Sequence, residues 1–117
     1  MRAPVDEADP APKRKGSSMT YGCIASMKTR PGFREEVVSL LLSAADGLRD
    51  AGCELYVVGL SEDDETTIWV TEVWRTREDH DASLESPAAK DAIGRAMPML
   101  TGEFTKQEMS VAGGLGL

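Results

Sequence analysis

One imidazole, two thiols and a carboxylate set among aromatic and β-branched residues are the groups with most chemistry to offer in this chain. His80 is the only histidine, and its imidazole is the side chain whose ordinary pKa lets it take or give a proton near neutral pH. It lies in Glu78-Asp-His-Asp-Ala-Ser83, where Asp79 and Asp81 suit a solvated surface histidine as well as a catalytic one. Glu72 lies in the run Thr66–Trp74, TTIWVTEVW, and a two-residue period puts it on one face with Ile68, Val70 and Trp74. A carboxylate in that company must be paired, neutral or near water. It either handles a proton or an anion, or forms an ion pair with an arginine such as Arg95. Trp74 offers a stacking surface or plain core packing, and Tyr56 a phenolic donor or an aromatic with a wet hydroxyl. Met97 and Met99 are candidates for a pocket wall, or soft apolar filler.

Cys23 and Cys53 read as buried small hydrophobes in a reducing compartment. A structural zinc takes four Cys or His ligands, and only three such side chains exist here, without CxxC or HxxxH spacing. There is also no GxGxxG loop. No metal or nucleotide cofactor is expected.

The elements that must position these groups follow from periodicity. Tyr21–Lys28 alternates as a first strand, and Thr29-Arg-Pro-Gly32 is a turn. From Phe33 to about Asp50, Val37, Val38, Leu41, Leu42, Ala45 and Leu48 recur at three and four and predict a helix closed by Gly52. Cys53–Leu60 is a second strand, Ser61–Glu65 an acidic turn, and Thr66–Trp74 a third strand. Thr76 with Asp79 three residues on starts a second helix, Arg77 to about Leu84. Ser86-Pro87 interrupts it, a further helical piece runs from Ala88 to about Met97, and Glu103–Val111 is a fourth strand. The order is βαββαβ, which predicts an α+β, ferredoxin-like antiparallel sheet with helices on one face.

The strands are apolar on both faces: Ile68, Val70 and Trp74 oppose Trp69 and Val73, while Leu55 and Val57 oppose Tyr56, Val58 and Leu60. A sheet with one wet face alternates more cleanly, so a second copy is expected to close over the face that the helices leave bare, giving a homodimer.

The 117 residues make one domain. Residues 1–19, rich in Pro, Ala, Ser and charge, read as a disordered extension before a domain at 20–114. The net charge is −7. Residues 1–18 carry four basic and three acidic groups, which leaves 9 basic against 17 acidic groups in the remainder. That balance repels phosphate backbones and argues against a nucleic-acid partner; Lys13-Arg14-Lys15 reads as a solvated charge run. No segment approaches the roughly 18–20 apolar residues that cross a bilayer, and the N-terminus lacks the apolar core of a secretory signal. A cytoplasmic protein without a membrane partner is expected.

Four stretches carry a family resemblance: Met27–Gly32 (MKTRPG), Gly52–Gly59 (GCELYVVG), Trp69–Trp74 (WVTEVW) and Ala112–Gly116 (AGGLG). In this order and spacing the chain resembles the antibiotic biosynthesis monooxygenase domain over about residues 20–114, a group that includes quinol monooxygenases, polyketide-anthrone oxygenases and haem-degrading relatives. The resemblance implies a dimeric α/β barrel of ferredoxin-like subunits. It implies oxygenation of a small aromatic substrate by dioxygen without metal or flavin, with Trp74 pointing into the pocket. Many relatives carry a histidine where this chain has Ser83, one helical turn from His80 on the same face; Ser83 retains a hydroxyl for a phenol. The chain has no asparagine, which disfavours the haem-degrading branch and the Asn-dependent anthrone oxygenases. The resulting expectation is a cofactor-independent monooxygenase oxidising a small quinol or polyphenol to a quinone. Trp74 would shape the pocket, Glu72 and His80 would handle the proton or anion, and Tyr56, Ser83, Met97 and Met99 would contact substrate. The alternative is a non-catalytic dimeric domain of the same fold that binds small molecules or serves a stress-related accessory role.

Overall fold

The computed structural model describes residues 20–117; the expected N-terminal extension and its basic cluster lie outside the described residues. Strand β1 (Tyr21–Thr29) ends in a turn in which the Phe33 amide donates to the Arg30 carbonyl at 3.2 Å. Pro31 and Gly32, the latter at φ 87°, take the two central positions, the residue pair that a type II turn favours. Helix α1 (Arg34–Ala44) then packs on the sheet through Val37, Leu40 and Leu41. Leu42 was expected on this stripe but is exposed, because five residues past Val37 it is rotated about 140° around the helix.

The expected single helix to Asp50 is broken by a 3-10 turn at Ala45–Gly47 before the short helix α2 (Leu48–Ala51). Gly52, at φ 113°, ends α2 with its amide on the Arg49 carbonyl at 3.1 Å, the left-handed cap that the sequence predicted. Strands β2 (Cys53–Leu60) and β3 (Thr67–Trp74) form a hairpin. Its loop is stitched to α1 by Arg34, whose Nη1 donates to the carbonyls of Ser61, Asp64 and Thr67 at 3.2, 3.0 and 3.3 Å. Inside that loop the Asp64 carboxylate accepts from Thr66, Thr67 and Lys28.

Helix α3 (Arg77–Ser83) is capped as expected by Thr76, whose Oγ1 accepts from the Asp79 amide at 3.0 Å. Ser86-Pro87 does more than interrupt: Ser86 caps a new helix, α4 (Pro87–Ala96), with proline in its first turn. A 3-10 turn at Met97–Met99 leads into β4 (Leu100–Ser110), three residues earlier than the pattern suggested. Thr29 pairs with Leu100 across a register shift in β1, and Gly102 at φ 94° absorbs the irregularity.

The sheet is antiparallel throughout in the order β2-β3-β1-β4, and the element order gives the α+β ferredoxin-like fold. Register and alternation assign the two faces. Ile68, Val70, Glu72 and Trp74 look toward the helices with Tyr21, Cys23, Ala25 and Met27. The main core there joins Val37, Ile68, Val70, Ala96, Met99 and Leu100, and a second cluster joins Tyr21, Cys23, Cys53 and Trp74. A one-residue bulge at Glu54, between the Cys53–Trp74 and Leu55–Val73 pairs, lets Cys53 share the helix side with Tyr56. The opposite face exposes Ile24, Leu55, Val57, Trp69 and Met109, so apolar side chains do project from both sides. Among the described residues no helix is long and apolar enough to cross a membrane.

Candidate functional site

Strand pairing writes a row across the helix side of the sheet: Tyr56 on β2 faces Glu72 on β3, which faces Cys23 on β1, which faces Glu108 on β4. The row before it, Val58, Val70, Ala25 and Lys106, is apolar except at its β4 end. The row after it holds Cys53, Trp74, Tyr21 and Ser110. A polar line thus crosses an otherwise apolar floor.

Glu72 is half-buried, and its carboxylate accepts from Trp74 Nε1 at 2.9 Å. Arg95 pairs instead with Asp91, one turn away on α4 at 3.5 Å, so the ion-pair alternative for Glu72 fails and an indole donor replaces it. Trp74 is only 1% exposed. Against its edge lies the His80 ring, with centroids 5.7 Å apart and planes at 82°. Tyr21, the cross-strand neighbour of Trp74, tilts against the same imidazole at 4.9 Å.

His80 is 6% exposed, so the surface alternative for it is wrong. Asp81 lies on the exposed flank of α3 and Asp79 turns toward Gly52 and Arg75, while the helix turns residue 80 onto Tyr21 and Trp74. His80 Nδ1 lies 3.0 Å from Asp81 Oδ1. Tyr21 is fixed in turn: its hydroxyl donates to Glu108 at 2.7 Å, and Arg77 stands over its ring and binds Glu108 at 3.0 Å. Lys106 adds a second cation 3.5 Å from the same carboxylate. The Tyr21 hydrogen bond and the two cations hold the Glu108 carboxyl below its usual range.

The two phenols and the two thiols are less acidic than usual. Burial first, then the Glu72 charge, pushes the Tyr56 phenol up to about 12. Burial also raises Tyr21, with Glu108 adding to it, and raises both cysteine thiols, which stay protonated. Cys23 and Cys53 are free and buried, as expected. They lie two strands apart, about 9–10 Å at the spacing of paired strands, which is too far for a disulfide.

The other expected contacts divide. Tyr56 packs between the two core clusters, and a surface cleft of about 330 Å³ opens beside it, lined also by Cys53, Leu48 and Arg49. Ser83 turns its hydroxyl back onto the His80 carbonyl at 2.6 Å, so it is committed to closing its own helix. Met99 fills the main core, while Met97 is half exposed; neither stands beside the polar row. The structure therefore brings together Glu72, Trp74, His80 and Tyr56 from the expected set. It adds Tyr21, Cys23, Glu108, Arg77 and Asp81. Of these, only the shared parity of Tyr21 and Cys23 was visible in the sequence, because their neighbours are fixed by register.

The family model described as antibiotic biosynthesis monooxygenase matches residues 20–95. Three solved structures, each described as a "putative antibiotic biosynthesis monooxygenase", share the fold. The one from Chloroflexus aurantiacus is 36% identical, with a TM-score of 0.74 over 81% of this chain and 95% of that one. Those from Nitrosomonas europaea and Caulobacter crescentus are 14% and 18% identical, with TM-scores of 0.75 and 0.76. They cover 81% and 83% of this chain and 92% and 93% of their own. No curated protein matches the chain.

Proposed function

The chain belongs to the antibiotic biosynthesis monooxygenase family, and from that premise we propose that it is a cofactor-independent monooxygenase oxidising a small quinol or polyphenol to a quinone with dioxygen. One observation carries the reading: the only imidazole of the chain is buried against Tyr21 and against Trp74, whose indole donates to the Glu72 carboxylate.

The chemistry asks for a base, an apolar setting and a group that steadies charge. His80 takes a phenolic proton, leaving an electron-rich phenolate. The phenolate passes one electron to dioxygen, and the radical pair joins by a carbon–oxygen bond. The imidazolium returns its proton to the new peroxide. Loss of the ring hydrogen as a proton and cleavage of the oxygen–oxygen bond then release water and leave a carbonyl. Quinol plus dioxygen gives hydroxyquinone plus water, with no outside reductant. Trp74 and Tyr56 contribute aromatic surface, and the Glu72 charge, held by the indole, helps to keep the Tyr56 phenol protonated as a donor.

The domain would run over residues 20–114 and work as a cytoplasmic homodimer. Support for the dimer is the exposed apolar band of Ile24, Leu55, Val57, Trp69 and Met109 on the face opposite the helices. The two free, buried thiols suit a reducing compartment.

Oxygen consumption with a panel of hydroquinones and naphthoquinols, in the presence of a chelator, is expected to exceed uncatalysed autoxidation and to fall by about 10²–10⁴ in His80→Gln. Rates equal to autoxidation, unchanged by His80→Gln and Glu72→Gln, would reject the oxygenase. Quenching of tryptophan fluorescence by the same compounds without turnover would then assign a binding domain.

A further inference from the structure

We infer that Asp81 is a positioning residue for His80, fixing the imidazole as its Nδ1–H tautomer so that Nε2 carries the free lone pair. The kinetic consequence rests on the oxygenase reading above; the tautomer itself does not.

The geometry has three parts. A carboxylate only accepts hydrogen bonds, so the 3.0 Å contact between His80 Nδ1 and Asp81 Oδ1 places the proton on Nδ1 whenever the ring is neutral. The Asp81 carboxylate is itself restrained, since its Oδ2 lies 3.8 Å from Arg77 Nε one helical turn back. The ring is restrained by packing, because it lies buried against the neighbouring rings of Tyr21 at 4.9 Å and Trp74 at 5.7 Å. Each holder is tied down in turn, Tyr21 by Glu108 and Trp74 by Glu72. Imidazole nitrogens diverge, so Nε2 is directed away from Asp81.

The pair also spans the boundary of the protein. The His80 side chain is 8% exposed and that of Asp81 is 60% exposed. A proton accepted at Nε2 from a buried phenol makes the ring an imidazolium, and the adjacent carboxylate stabilises that charge at its solvent end. The polar partners of Asp81 are His80 and the exposed Arg77, so it acts through the imidazole rather than on substrate. In the sequence it looked like part of a solvating acidic flank, because a neighbouring position on a helix ordinarily faces elsewhere.

A single histidine makes the test direct. Long-range proton–nitrogen NMR of the full chain at about pH 8.5, well above the ordinary histidine pKa, reads the tautomer of His80 without assignment ambiguity. The expected wild-type pattern has protonated Nδ1 and unprotonated Nε2. In Asp81→Ala it should shift toward Nε2–H, the form that free histidine prefers. In Asp81→Asn, whose amide oxygen can still accept, the wild-type pattern should persist. Asp81 is exposed, so both variants should keep the wild-type circular dichroism.

With an accepted quinol, Asp81→Ala should lower kcat roughly ten- to a hundredfold, as losses of orienting partners do. KM should change little, and Asp81→Asn should recover part of the rate. A wild type in the Nε2–H form, or an alanine variant with unchanged tautomer, overturns the inference. So does an alanine variant that loses the tautomer and keeps its kcat. A wild type that shows the tautomer response but consumes no oxygen refutes the oxygenase reading and upholds the hold of Asp81 on the ring.

Discussion

Replacing Trp74 by phenylalanine tests the central contact of the site, and its cost can be worked from the structure. The indole is 1% exposed, so losing its second ring removes about 40 Å³ from a packed interior; at about 24 cal/mol per Å³ this costs about 1 kcal/mol. The substitution also deletes the 2.9 Å bond from Nε1 to Glu72. Hydrogen bonds to charged groups contribute about 1.5–3 kcal/mol, and the half-buried carboxylate can recruit water, so the low end, about 1.5 kcal/mol, applies. The sum is about 2.5 kcal/mol, or a fall in Tm of roughly 10–20 °C for a domain of this size. Glu72→Met in the same background should remove the charge that had lost its donor, leaving the double variant near the packing loss alone. Urea melts of the four proteins, followed by circular dichroism at one fixed protein concentration, should give a coupling of at least about 1.5 kcal/mol, because Glu72→Met alone also strands the buried indole N–H. Single losses that add to within about 0.5 kcal/mol would mean that the two side chains do not interact, and the description of Glu72 as an indole-held carboxylate would fall.

Gly52→Ala should cost about 1–2 kcal/mol in thermal melts, because φ is 113°, and an added Cβ would also displace the flexible Asp79 carboxylate and Arg75 guanidinium. Tyr21 and Tyr56 are the only tyrosines, and both are raised above the ordinary value of 10.0, Tyr56 to about 12. Native protein favours their protonated forms, so this part of the stability is intact below pH 10.0 and is lost as pH rises toward 12. Tyrosinate absorbance should stay low until unfolding, and ionisation of either ring near pH 10 in folded protein would contradict the burial argument. Glu108 is lowered from 4.5, so its contribution is present above that pH and disappears on acidification; Glu108→Gln should flatten the acid limb of a stability–pH curve, and an unchanged limb would deny the Tyr21–Arg77–Lys106 network. Trp69→Glu should turn a dimer into a monomer by light scattering without altering far-ultraviolet circular dichroism, whereas an unaffected mass would place the interface elsewhere.

Local signals in the chain were strong where the backbone alone decides. The β-branched run of β3, the Thr76 cap and the left-handed Gly52 all lie where the pattern put them. What could not be read was whatever depends on which strand faces which. Glu72 and Trp74 were visible as a same-face pair, but their partners Tyr21, Cys23 and Glu108 are set by the β1–β3 and β1–β4 registers. The surface alternative for His80 arose for a related reason: two flanking aspartates suggested solvent, while helix phase turned the middle residue inward. Ser83 looked available until its hydroxyl closed on the His80 carbonyl. The late start expected for β4 missed the register shift at Met27 and Thr29, which has no local signature.

Along β3 the even-numbered residues Ile68, Val70, Glu72 and Trp74 face the helices, the first two in the main core and the last two in the candidate site, and Thr67, Trp69, Thr71 and Val73 belong to the opposite surface. On the proposed reading, two demands are therefore interleaved in one eight-residue ribbon without sharing a side chain. If the proposed dimer and site hold, change at Trp69 would retune association while leaving the Glu72–Trp74 pair untouched, and change at Glu72 would alter the site without touching the opposite face, whereas Ile68 and Val70 are bound to the main core. Insertion or deletion of one residue has no such freedom, since it would exchange the two inventories at a stroke.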